Sequence, residues 1–303
     1  MPSVTVVDVA ARDGLQNEKT HLDTQTKLEL IARLEAAGVK SYEASSFVHP
    51  RWVPRMADAE AVFSGLPPSA GVTRWALLVN DHGYARARAA GADHVRLVVA
   101  ATETMNQKNA NRSPAETLES YRPIVQAAKE DGVAVTGVIG VSFGCPFEGA
   151  VDPGRVLELA EKLAEMGVGE IDFADTVGMG VPTQVSRMVA TAGERIPGMR
   201  LGVHLHNTRG TGLANAFAAV EAGAEVVDAS LGGAGGCPFA PRATGNIATE
   251  DLVFMLEGMG VSTGIDLERL IEASMWFSKA LGRDLPGMVT KAGACWTGAA
   301  PVA

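Results

Sequence analysis

The sequence predicts an α/β fold, a (β/α)8 TIM barrel with extra C-terminal helices. Three observations lead there. Short apolar, β-branched runs alternate with helix-spaced stretches along the chain, eight strand-like runs are found, and a helix-ending glycine recurs just before strand after strand. With 303 residues the chain has room for one barrel, which typically needs about 250, and a single domain over residues 1–303 is expected. An open doubly wound sheet is the alternative topology for the same alternation.

The first run, Ser3 to Val9, has Arg12 and Asp13 at its carboxyl end. Thr24 to Ala37 then places Leu28, Ile31, Leu34 and Ala37 at helical spacing and is closed by Gly38. Strands are expected near 3–9, 39–45, 73–79, 94–99, 134–141, 170–174, 201–205 and 226–230. The phrases Ala-Ala-Gly38, Ala-Ala-Gly91, Glu-Asp-Gly132, Glu-Met-Gly167 and Glu-Ala-Gly223 each precede such a run. Glycine just past a helix supplies a left-handed cap that turns the chain back. Helix starts are equally marked: Ser113-Pro-Ala-Glu116 reads as a capping box, and Asp152-Pro153 repeats the device. Thr249-Glu-Asp251 puts acids in a first turn, where the helix dipole favours them. Two helical stretches, about Thr249 to Met259 and Asp266 to Leu281, follow the last strand, and no proline- or serine-rich linker divides the chain.

Composition removes several function classes. A net charge of -9 argues against nucleic acid or an anionic membrane as partner. No apolar run reaches the roughly 18 residues of a spanning helix. The first residues lack a basic, then apolar, secretory pattern. Cys145, Cys237 and Cys295 show no disulfide framework, which fits a reducing cytoplasm. Oligomeric state is left open, a homodimer included.

The candidate chemistry gathers at the carboxyl ends of the expected strands, where barrel active sites are built. His204 and His206 lie two apart in the seventh run and project to the same face. Asp13 follows the first run, Glu43 lies in the second, Asp175 ends the sixth, and Asn246 closes the glycine-rich stretch after the eighth. Taken singly, each has an ordinary reading as a helix cap or a satisfied core group. Together, two neutral nitrogens with carboxylate and amide oxygens suit a divalent cation, Mg2+ or Mn2+ more than structural zinc. The glycines from 232 to 236 lack the Gly-Lys-Ser/Thr ending of a phosphate loop. Cys237, between glycine and proline beside that site, is placed for proton transfer; Cys145, in a similar Gly-Cys-Pro-Phe setting, is its rival.

Arg12-Asp-Gly-Leu-Gln-Asn-Glu-Lys19, Glu43 to Phe47, Gly144-Cys-Pro-Phe-Glu-Gly149, His204-x-His206, Gly235-Gly-Cys-Pro238 and Gly245-Asn-x-Ala-Thr-Glu-Asp251 together resemble the 3-hydroxy-3-methylglutaryl-CoA (HMG-CoA) lyase family. The resemblance spans nearly the whole chain. It implies a metal-dependent barrel that breaks a carbon–carbon bond of an acyl-CoA by retro-Claisen cleavage, giving acetyl-CoA and acetoacetate from HMG-CoA, a step of leucine catabolism. By resemblance, Asp13, His204, His206 and Asn246 bind the cation, Arg12 stabilises the thioester enolate, and Cys237 protonates the departing carbanion. Glu43 and Asp175 complete the polar site, and Lys108 and Asn109 correspond to the loop on the CoA side. The general base is Asp13 or a metal-bound water.

Parts of the substrate shell differ from the family pattern. Asn207-Thr-Arg-Gly210 replaces an acidic residue, Thr, Tyr and Gly; Thr136 and Val138 stand where arginine and tyrosine are usual; and Gly282-Arg-Asp284 replaces an Asn-x-Lys. Arg209 and Arg242 are candidate replacement cations. The rival readings are a citramalyl-type acyl-CoA, a CoA-free hydroxy-oxo acid, and, from another class, a non-catalytic binding barrel.

Overall fold

A computed structural model describes residues 3–67, 70–236 and 245–294. The strands β1 (Thr5–Asp8), β2 (Ser41–Ser46), β3 (Thr73–Leu78), β4 (His94–Ala100), β5 (Ala134–Gly140), β6 (Glu170–Asp175), β7 (Arg200–Leu205) and β8 (Val226–Ala229) follow the expected runs to within a few residues. They form a closed barrel in sequence order, and every neighbouring pair is parallel. The seam, β1 against β8, pairs Thr5 with Val226 through Asp8 with Ala229 and excludes the open sheet.

The joints obey their local chemistry. Gly38, Gly91, Gly132, Gly167 and Gly223 all have positive φ, between 69 and 103°, as a left-handed helix end requires. Ser113 caps the helix Pro114–Asp131 with a complete capping box, and Asp152 caps Pro153–Met166 by accepting from the Gly154 amide at 2.9 Å. The two late helices are Thr249–Gly258 and Leu267–Leu281, the second capped by Asp266. Among the described residues no helix is long and apolar enough to cross a membrane.

The large apolar core lies between sheet and helices, where leucines and valines of both layers meet. The barrel interior is different. Val7, Val9, Trp75 and Val226 form a small separate cluster there, and beside it the lumen holds a network of charged and polar side chains. Arg96 on β4 donates to Asp228 on β8 (2.6 and 2.7 Å) and to Asp172 on β6 (3.0 Å). These strands are not neighbours, so the bonds cross the lumen. Arg96 also lies 4.2 Å over the Trp75 ring, and Trp75 stacks on His94 at 3.8 Å. Nearer the amino end of the barrel, the Thr136 hydroxyl donates to Glu170 (3.0 Å) and therefore accepts from His94 Nε2–H (2.7 Å). Arg200 closes the chain of bonds to Glu170 (2.8 Å) and Thr5 (2.6 Å).

Burial, with the positive charges of Arg96 and Arg200 nearby, lowers the His94 pKa from 6.5 to about 3. The unfolded chain takes up this proton below about 6.5 while the native ring stays neutral, so stability is lost as pH falls from 6.5 toward 3. His94→Gln keeps a donor for Thr136 but cannot charge. Urea denaturation between pH 7 and 4 should therefore show a shallower loss of stability in the variant; an equal slope would mean that His94 does not set it.

Candidate active site

The chain leaves β1 in a wide turn. Asp8 accepts from the Ala10 amide at 2.8 Å, and Ala10–Gly14 makes one π-helical turn, closed by Gly14 N–H to the Val9 carbonyl at 3.0 Å. Such turns recur at functional sites. Gly14 is required because a Cβ there would stand 2.9 Å from the Ser230 hydroxyl oxygen. The turn thus lies against the β8 end of the barrel and presents Arg12 and Asp13 to its mouth.

His204 and His206 project inward from the end of β7, and their Nε2 atoms face each other at 3.1 Å. Asp13 Oδ2 lies 3.9 Å from His206 Nε2, and one ligand atom from each of the three residues falls within 4.8 Å of the others. Asn246 is brought alongside by a backbone bridge to His206. Its amide nitrogen donates to Asp13 Oδ2 (2.8 Å) and to the Ala234 carbonyl (3.0 Å), which leaves Oδ1 as its remaining donor atom for a cation. The expected quartet converges.

Charge around the quartet is tuned for the same end. Burial opposes ionisation of Asp13, yet Arg12 and the two imidazoles hold its pKa down at about 2. Burial, with its neighbour His204, lowers the His206 pKa to about 4, so its ring is neutral at pH 7. His204 Nδ1 lies 3.0 Å from Asp228 Oδ2, which makes it the donor and leaves the lone pair on Nε2. Two lone pairs 3.1 Å apart repel unless a proton or a cation lies between them. His206 Nδ1, buried without a partner, adds no competing claim on the ring. These residues fit a divalent cation.

Arg12 is buried under an 890 Å³ cleft that Asp13, His204 and His206 also line. Its Nε donates to Glu43 at 2.6 Å and its Nη1 to Asp13 at 2.7 Å. Burial penalises the guanidinium, but Glu43 and Asp13 raise its pKa, so it stays charged. Lys108 and Asn109 line the same cleft from the helix Glu103–Ala110, with the Lys108 ammonium 5.0 Å over the Phe147 ring. Asp175 is placed otherwise. Its two oxygens accept from the Met179 and Gly180 amides at 2.8 and 2.9 Å, so it shapes the turn after β6. Cys237 and Arg242 lie outside the described residues; Gly236, just before Cys237, lines the cleft and accepts from Asn17 at 3.1 Å. Cys145 is buried, and its sulfur accepts from the Thr102 hydroxyl at 3.2 Å.

Sequence reasoning missed Arg96, Asp228 and Asp172. The signal was there: charged residues at alternate positions of apolar strands, His94-Val-Arg96 and Glu170-Ile-Asp172, point to one face. Arg96 is in register with Thr136 on the neighbouring strand, which puts a guanidinium in the lumen beside it. Arg209, one of the candidates for that charge, instead ties the Val177 and Gly178 carbonyls at 3.0 and 2.7 Å.

The profile of the HMGL-like family matches residues 3–276. The chain belongs to the HMG-CoA lyase family. It is 51% identical over 303 residues to (R)-citramalyl-CoA lyase of Chloroflexus aurantiacus, covering 97% of this chain and 96% of that protein. Identity to the mitochondrial hydroxymethylglutaryl-CoA lyase of Macaca fascicularis is 42% over 289 residues, 95% and 89% of the two chains. Among solved structures, the HMG-CoA lyase of Bacillus subtilis superposes with a TM-score of 0.93 at 38% identity, covering 96% and 99% of the two chains. That of Acinetobacter baumannii, in complex with coenzyme A and 3-methylmalate, gives 0.94 at 40%, covering 99% and 98%. This HMG-CoA lyase family member is thus a carbon–carbon lyase.

His206→Ala and Asp13→Ala should each weaken Mn2+ binding, measured calorimetrically, by more than about 100-fold, beyond the usual loss from an outer-shell partner. Far-UV circular dichroism should not change, since both residues stand on the rim. Unaltered Mn2+ affinity in either variant would overturn its ligand assignment.

Proposed function

We propose that this enzyme cleaves a 3-hydroxy-3-methylacyl-CoA between C2 and C3, releasing acetyl-CoA and an oxo acid. The observation that carries the proposal is the meeting, on one rim, of the His204–His206–Asp13 donor set with the buried guanidinium of Arg12. Citramalyl-CoA, which would yield pyruvate, is the better supported thioester. Its support is the 51% identity to a citramalyl-CoA lyase, together with Thr136 and Val138 where the HMG-CoA lyase pattern has arginine and tyrosine. HMG-CoA, yielding acetoacetate, is the second reading, favoured by the 42% identity to an HMG-CoA lyase.

In this mechanism Asp13, His204, His206 and Asn246 hold a Mg2+ or Mn2+ ion, which when bound acidifies the tertiary hydroxyl of the substrate. The base that takes the hydroxyl proton is Asp13 or a water that the bound cation would acidify. As the C2–C3 bond breaks, its electron pair passes to C2 and the thioester oxygen. Arg12, held in place by Glu43, meets that charge; a preorganised donor of this kind contributes about 3–4 kcal/mol. The Cys237 thiol gives its proton to C2, which completes acetyl-CoA, and the thiolate recovers a proton from solvent. Lys108 and Asn109 serve the CoA portion.

A turnover screen with Mg2+ and Mn2+ tests the substrate. Citramalyl-CoA should give the highest kcat/KM with pyruvate as product. A higher value for HMG-CoA would select the second reading, and no cleavage of any acyl-CoA would remove the proposal.

The acid is tested apart from the substrate. Cys237→Ala should lower kcat by about 100-fold or more, the scale of a lost general acid, with metal binding kept. Cys145→Ala should cost mainly stability, since it empties a packed site and leaves the Thr102 hydroxyl unpaired. Near-normal turnover in Cys237→Ala with loss in Cys145→Ala would reverse the assignment.

A further inference from the structure

We propose that Arg96, inside the lumen, is a positioning residue for the metal-binding imidazole of His204. The inference rests on the reading of His204 as a ligand. Its observation is a relay of three side chains on three strands, Arg96 on β4, Asp228 on β8 and His204 on β7. Arg96 grips Asp228 through both oxygens, Nη1 to Oδ2 at 2.6 Å and Nη2 to Oδ1 at 2.7 Å. The Asp228 oxygen that takes the shorter of these bonds, Oδ2, also lies 3.0 Å from His204 Nδ1.

The forked contact fixes the plane of the carboxylate, which a point charge would not do. With its plane fixed, Oδ2 presents a lone pair to His204 in one direction only. That sets the ring rotation and keeps the proton on Nδ1, so that Nε2 faces His206 Nε2 at 3.1 Å with its electron pair. Arg96 is itself held in place: its Cζ lies over the Trp75 ring at 4.2 Å, Asp172 takes Nη2 at 3.0 Å, and its side chain is only 2% exposed. The rival account is charge balance, in which Arg96 merely neutralises Asp172 and Asp228 and lends nothing to the imidazole.

Two variants separate these accounts. Arg96→Met with Asp172→Asn removes the fork together with the second carboxylate that it holds. Arg96→Lys keeps the charge and loses the planar fork. Mn2+ affinity is read by calorimetry, folding by melting temperature, and the His204 ring by 15N shifts of the metal-free protein. Either variant, once folded, should bind Mn2+ about 10- to 100-fold more weakly than the parent, the range for losing a ligand's outer partner. The ring nitrogens of His204 should shift from a pure Nδ1–H pattern toward a mixture of tautomers. Parent-like Mn2+ affinity and an unchanged His204 spectrum in a folded variant would overturn the proposal and leave charge balance. If the parent itself binds no Mn2+, the ligand reading fails, and the 15N spectra alone still decide whether Arg96 sets the ring.

Discussion

The pairing of the first strand with the last is what the rest of this molecule depends on. Thr5 to Asp8 lie in register with Val226 to Ala229, and the Val9 amide extends the seam to the Ala229 carbonyl at 2.8 Å. Through that seam, the turn after β1 comes to rest against Ser230 and Ala234, beside the segment that carries Asn246. Asp13 and Asn246, at opposite ends of the sequence, thereby meet at 2.8 Å. A one-residue slip would turn Asp228 out of the lumen and take away the partner of His204.

Inside the barrel, the structure accepts a costly arrangement. Burial raises the Asp172 pKa well above the usual carboxylate range, with Glu170 adding to it and Arg96 opposing it. Asp228 is buried too, but Arg96 and the His204 bond hold its pKa below the usual value. Buried ion pairs are poor sources of stability, while removing one partner typically costs about 3–5 kcal/mol. A polar lumen of this kind is better understood as the support of the rim than as a contribution to the core. Stability comes instead from the apolar shell between strands and helices.

In the proposed reading, chemistry and selectivity occupy different parts of the cleft. The donor set and Arg12 stand on the rim at the ends of β1 and β7, while Arg96 and Val138 reach the cleft from within β4 and β5. Val138 borders the space above the rim without touching the donor atoms, whereas Arg96 also grips Asp228, the partner of His204. A barrel permits this separation because its inward side chains stack in layers, each contributed by alternate strands.

Much of this was legible in the sequence, because period and capping are local. Strand alternation put His204 and His206 on one face, glycines marked the helix ends, and Ser113 and Asp152 announced their helices. Other roles depended on contacts between distant segments. Glu250, read from the sequence as an acid favoured by its helix dipole, is buried and accepts from the Gly232 amide at 2.9 Å and from Ser274 and Thr290 at 2.9 and 2.7 Å. Asp175 sits at its expected strand end but spends its oxygens on backbone amides, a choice set by the turn that follows it. The sequence by itself determined which residues face the lumen, since that follows from a period of two. Only the tertiary structure decided that Arg96 would meet Asp228, because partners across a barrel are set by closure and register, and neither is written in any one strand.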